Sequence, residues 1–128
     1  GRNPRAPWKR QIDVLEIRDT DAISDSGVEI WNLIEQRGIQ NVVLLGVHVN
    51  MCVLGRPFGL RQMAKNGKHV VLMRDLTDTM YDHRMAPKVN HFAGTDLVIE
   101  HVEKYWCPSF TSTDITGRAP FRFKEDAR

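Results

Sequence analysis

The sequence predicts an α/β domain with a mostly parallel sheet, and three observations carry that prediction. A capped amphipathic helix runs directly into a short apolar strand, "NVVLLG", bounded by Asn41 and Gly46. The same order returns downstream, with Gly67 as a helix stop and "HVVLMRD" as the next strand. Both strands are continuous apolar runs, the pattern of strands covered on two faces. Parallel strands joined by right-handed crossover helices are the economical arrangement for such alternation.

Taken in order, residues 1–11 carry Pro4, Pro7 and four Arg or Lys and read as an irregular arm. The body spans 12–113. "IDVLEI", residues 12–17, is a candidate short strand, followed by the polar linker "RDTDAISDSG". Ser26 and Glu29 have capping-box spacing, and Val28, Ile30, Trp31, Leu33 and Ile34 form one apolar stripe. With Gly38 as the C-terminal stop, the spacing predicts a helix over 27–37. A second helix is expected from Cys52 or Arg56 to Asn66; Pro57, costly inside a helix, makes its start either a broken turn or a kink. Residues 76–91, polar and carrying Pro87, read as a long loop of the kind that is often functional. Thr95 is a candidate cap for a third helix with Val98, Ile99, Val102, Tyr105 and Trp106 on its apolar face. "SFTST" is a candidate edge strand, and residues 114–128 read as an extended C-terminal arm.

Composition narrows the function classes. A chain of 128 residues suits one domain. Eighteen basic against sixteen acidic residues leave +2, and the basic ones are scattered, so no nucleic-acid stripe is formed. No apolar run approaches the roughly 20 residues that cross a bilayer, so no membrane partner is expected. Cys52 and Cys107 lack CxxC spacing, and His83, His91 and His101 lack helical ligand spacing. Neither a metal nor a cofactor is expected, and free thiols fit a reducing, cytoplasmic compartment. The glycines match no phosphate-binding motif, which sets aside a nucleotide domain. Met51, Met63, Met73 and Met80 read as core or pocket filler, and Cys107 as packing.

In a parallel α/β sheet, ligands bind beyond the carboxyl ends of the strands. "GVHVNMC" and "RDLTD" both fall there. Cys52 then sits near the start of a helix, where backbone N–H groups and the helix dipole favour a thiolate and a developing oxyanion. A free cysteine also packs as a small apolar residue. Position alone leaves both readings open.

"GIQNVVLLGVHVNMCV", preceded by "SGVEIWNLIEQR" and followed by a strand ending in Asp75, resembles the isochorismatase-like cysteine hydrolases, a family that includes nicotinamidases and N-carbamoyl amidohydrolases. The likeness runs from Ser26 to Asp75 and more loosely to Thr113. It implies a three-layer α/β/α fold and an Asp–Lys–Cys triad that hydrolyses a small amide or related C–N bond through a thioester. Cys52 takes the nucleophile's place. The Val47–His48 peptide falls where the family has a cis bond, with the N–H groups of His48 and Cys52 as the oxyanion hole and Asn50 and Met51 beside the substrate. Lys9, 43 residues before Cys52, stands near the lysine's place, and Arg10 competes with it. Asp75 and Tyr81 are possible pocket residues.

The chain departs from the family at two points: Val49 replaces a threonine, and no segment matches the apolar first strand that ends in the catalytic Asp. The expectation is therefore a C-terminal part of a longer protein, paired with the missing N-terminal segment or with another copy. The alternative is a non-catalytic module of the same fold that acts in ligand binding or assembly.

Overall fold

The computed structural model describes residues 12–127. Helix α1, Gly27–Gln36, starts as its cap predicts: Ser26 accepts from the Glu29 N–H at 3.4 Å. The box is relayed, since the Ser26 N–H donates to Ser24 Oγ at 3.0 Å and the Ser24 hydroxyl donates to the Glu29 carboxylate. At the other end Gly38 takes φ 62°, while the Gly38 and Ile39 N–H groups donate back to Glu35 and Ile34. A β-carbon would strain that left-handed turn.

Strand β1, Asn41–Val47, leads into a five-residue π-helical turn, Val49–Val53. Helix α2, Leu60–Lys65, follows only after a break at residues 56–59. Pro57 is the reason: it cannot continue a helix, so the predicted segment begins as a broken turn. Strand β2, His69–Asp78, lies parallel to β1, and β3, Ser109–Phe110, lies parallel to β2, giving the order β1-β2-β3. Between them run α2 and helix α3, His91–Tyr105. A short helix α4, Thr113–Thr116, opens the C-terminal segment.

One core joins all the layers. Ile34 of α1, Leu60 and Met63 of α2, and Ile99 and Val102 of α3 pack on Val70 and Leu72, which share a face of β2. Val42 and Leu44 extend that face across β1. Among the described residues, these helices therefore form one layer on one face of the sheet. On the other face Val43, Leu45 and Val47 are exposed, so β1 alternates where burial on both faces was expected. It is also an edge strand, and among the described residues its outer side is unpaired.

Three further expectations are corrected. Residues 12–15 form a turn closed by the Leu15 N–H on the Ile12 carbonyl, and Ile12, Val14, Leu15 and Ile17 are exposed; among the described residues no strand partners residues 12–17. Strand β2 runs past Asp75 to Asp78, because a bulge takes five steps along β2 against two along β1, between Leu44↔Leu72 and Gly46↔Thr77. The Thr77 hydroxyl closes that bulge on the Met73 carbonyl at 2.9 Å. Helix α3 is capped by Asn90, whose side chain accepts from the Ala93 N–H at 2.8 Å, and Thr95 is buried inside it. Among the methionines, Met63 and Met73 are core, whereas Met51 and Met80 are exposed.

Among the described residues, Lys68 is the buried cation. Its ammonium donates to Glu35 at 2.6 Å and to the Ile39 carbonyl at 2.8 Å, 5.0 Å from the centre of the Trp31 ring. The Lys68 side chain is 3% exposed and that of Glu35 51%. Glu35→Ala leaves a buried charge, while Lys68→Met leaves a carboxylate that water can reach. Chemical denaturation is therefore expected to show the larger loss for Glu35→Ala, about 3 kcal/mol, with Lys68→Met milder by at least about 1 kcal/mol.

Candidate functional site

The cysteine lies where the edge strand ends. Gly46, at φ 125°, and His48, at φ 62° and ψ 50°, bend the chain out of β1, and the His48 carbonyl accepts from Met51 and Val53. The Val47–His48 peptide is trans; among the described residues the cis bond is Ala86–Pro87. The expected cis turn is thus replaced by a left-handed residue, a conformation histidine adopts more readily than a branched side chain would. Val49 is fully buried and anchors the turn in the core, where a threonine hydroxyl would need a partner. Turns of this π type recur at functional sites.

Cys52 is half-buried and lines a pocket of about 220 Å³ with Asp25, Leu44, Leu45, Val53, Arg56, Phe58 and Gly59. Its walls come from distant segments held in close contact. A β-carbon on Gly27 would lie 2.6 Å from Pro57 Cβ, so α1 starts directly on the 56–59 break and carries Asp25 to the pocket rim. A β-carbon on Gly59 would lie 2.8 Å from the Val53 carbonyl oxygen. Only glycine lets the break fold back against the turn.

The other predicted residues have different places. Val47 and His48 are exposed at the turn, and Met51 is 53% exposed. Asn50 faces the loop after β2: its amide donates to the Met80 carbonyl at 3.1 Å and accepts from the Met80 N–H at 3.0 Å. It bolts the 79–90 loop to the turn beside Cys52. Tyr81 also organises that loop, its hydroxyl lying 3.1 Å from the Met85 carbonyl and 3.2 Å from the Val89 N–H. Lys9 and Arg10 lie outside the described residues.

Asp75 lines a separate cavity of about 310 Å³ with Arg74, Asp96 and the C-terminal segment. It accepts from the Ser112 hydroxyl at 2.5 Å, the Ser112 N–H at 2.8 Å and the Phe121 N–H at 3.0 Å. Burial penalises its charge, but the bonds from Ser112 and Phe121 outweigh that and hold the carboxyl below its ordinary 3.8. A depressed carboxylate stabilises the fold above its unfolded pKa, and that stabilisation is lost as pH falls through the folded value. The stability gap between the wild type and Asp75→Asn is therefore expected to be constant above about pH 5 and to close below about pH 4 in urea titrations. With Phe123 stacked on Phe92 at 6.0 Å, this clasp lays the predicted arm back on the body.

Cys107 is buried, and that burial pushes its thiol up to about 11. A polar chain at the end of β2, linking Thr79, Thr95, Asp78 and His91, escaped the sequence reading, as did Asp25, Arg56 and Phe58 around Cys52. An acid at a strand end followed by a histidine at the next helix start was the available signal for Asp78 and His91. Nothing in the polar linker marks Asp25.

The chain is, in class, a small parallel α/β domain with a half-buried cysteine at the carboxyl end of its edge strand. Compared with family models, curated proteins and solved structures, it matches none. No helix among the described residues is long and apolar enough to cross a membrane.

Proposed function

We propose that the protein is an isochorismatase-like cysteine hydrolase that cleaves a small amide or related C–N bond, with Cys52 as the nucleophile. The observation that carries this reading is the placement of Cys52 in a helical turn at the end of a parallel strand, lining a small apolar pocket. A pocket of this size admits a compact carbonyl compound against largely apolar walls. The thiolate sulfur attacks the carbonyl carbon; the C–N bond breaks as the nitrogen takes a proton and leaves; water then attacks the thioester, releasing the acid and restoring the thiol. Asp25 is the carboxylate among the lining residues, and Lys9 or Arg10 is the cation that the resemblance assigns. The single helical layer and the unpaired β1 edge among the described residues correspond, on this reading, to one half of a three-layer fold, with a further strand on β1 supplied by an N-terminal segment or a second copy.

Iodoacetamide labelling tests the assignment directly. Fractional loss of amide hydrolysis is expected to track labelling of Cys52 one for one, while Cys107 stays unlabelled near neutral pH because its thiol is held protonated. Full activity with Cys52 fully labelled would sink the proposal.

A second reading, a non-catalytic module of the same fold, draws on the internal bonding of Asn50, Asp75 and Tyr81. It expects no hydrolysis of any small amide, and saturable binding that Cys52→Ala leaves unchanged.

A further inference from the structure

The carboxyl end of β2 and the start of α3 are tied together by groups that the pocket around Cys52 does not use. His91 Nδ1 lies 3.0 Å from the Tyr81 carbonyl oxygen, and Nε2 lies 2.8 Å from Asp78 Oδ1. A carbonyl oxygen only accepts, so Nδ1 carries a hydrogen. Nε2 then faces a carboxylate oxygen, and two acceptors do not close to that distance without a proton between them. Both contacts are therefore hydrogen bonds at once only when the pair holds one proton more than a neutral imidazole beside an ionised carboxylate. The carboxylate is itself fixed from behind: the Thr95 hydroxyl donates to Asp78 Oδ1 at 3.2 Å, and the Thr79 hydroxyl lies 2.8 Å from that of Thr95. Both threonines are buried.

We propose that Asp78 and His91 form a proton-dependent latch, which holds the 79–90 loop on the start of α3 while the pair keeps its proton and releases the loop as pH rises. The loop hangs on this pair through the Tyr81 carbonyl, and it is joined to the turn beside Cys52 through Asn50 and Met80. Deprotonation leaves the ring one hydrogen for two acceptors, so either the Asp78 contact or the Tyr81 contact that carries the loop is lost. Lys124 and Glu125 of the C-terminal segment line the cavity that both latch residues share, and His83 and Lys88 of the loop line the adjoining one. The lysines and the positive end of the α3 dipole oppose a cationic imidazole, whereas Glu125 favours it. Asp78 is in direct hydrogen-bond contact with the ring at 2.8 Å, and a carboxylate at that distance favours the protonated ring. The latch stands independently of the hydrolase proposal, since it rests on proton count and position rather than on Cys52.

Proton NMR titration of the His91 ring in the whole chain, from about pH 5 to about pH 8, tests the latch. Asp78→Asn is expected to lower the His91 midpoint by about one unit or more. Hydrogen-exchange protection of the Val89 and Met80 N–H groups, which donate to Tyr81 and Asn50, is expected to fall as the wild type passes its midpoint. In His91→Gln, which cannot titrate, the same protection is expected to be flat with pH. An unchanged midpoint in Asp78→Asn, or identical pH profiles of protection in the wild type and His91→Gln, would overturn the proposal. Should Asp78→Asn fail to fold, the wild type against His91→Gln decides by itself.

Discussion

Cys52→Ala is expected to lower kcat for amide hydrolysis by at least about a thousandfold, with little change in unfolding free energy. The first half follows from the proposed chemistry. A covalent intermediate needs its nucleophile, and removing one from a hydrolase commonly costs far more than any single binding contact, up to about a millionfold. The second half follows from the environment. Cys52 is half-buried at a pocket mouth, so losing one sulfur removes little packed surface. A core role predicts the opposite pair of results: hydrolysis retained and a loss of about 1 kcal/mol or more. Steady-state kinetics and denaturation on the same preparation therefore separate a nucleophile from a packing residue. Cys107→Ala is the control, and its burial in the core predicts a stability loss with kinetics untouched.

How far the sequence could lead depended on whether the determining contacts were local. Helix α1 was legible from Ser26 to Gly38 because caps and stripes act within a few residues. Parallel alternation was legible too, since a helix feeding a strand twice constrains topology. The "NVVLLG" run misled on burial for a physical reason. Continuous apolarity reads as two covered faces, and Val43, Leu45 and Val47 are apolar on the face that the described helices leave open. The end of β2 was misplaced because a bulge, closed by the Thr77 hydroxyl, carries the ladder past a polar stretch that reads as loop. Thr95 has the chemistry of a cap, but its hydroxyl serves Asp78 inside the helix, and Asn90 takes the cap. At the site, the turn holding Cys52 could be placed from its glycines and spacing. Asp25 is carried to the pocket by the packing of Gly27 on Pro57, and Phe58 by the packing of Gly59 on Val53, contacts that no local pattern encodes.

The second large effect is expected at a position remote from the cysteine. Gly94 sits inside α3, where alanine would ordinarily gain about 1 kcal/mol of helix propensity. Here a β-carbon would lie 2.4 Å from Tyr81 Cδ1 and 2.7 Å from Cε1, well inside van der Waals contact. The ring cannot retreat freely, because its hydroxyl is held by Met85 and Val89 and its carbonyl by His91. Gly94→Ala is therefore expected to destabilise the fold by about 1–3 kcal/mol, the range of overpacking in a closed site. A double-mutant cycle isolates the cause. In a Tyr81→Ala background the obstructing ring is gone, so Gly94→Ala should turn neutral or stabilising by up to about 1 kcal/mol. A cost that persists without the ring would place the penalty in the backbone of α3 instead. Relief by Tyr81→Ala would show that this one contact sets how closely the 79–90 loop lies on α3, and with it the distance over which Asp78 and His91 meet.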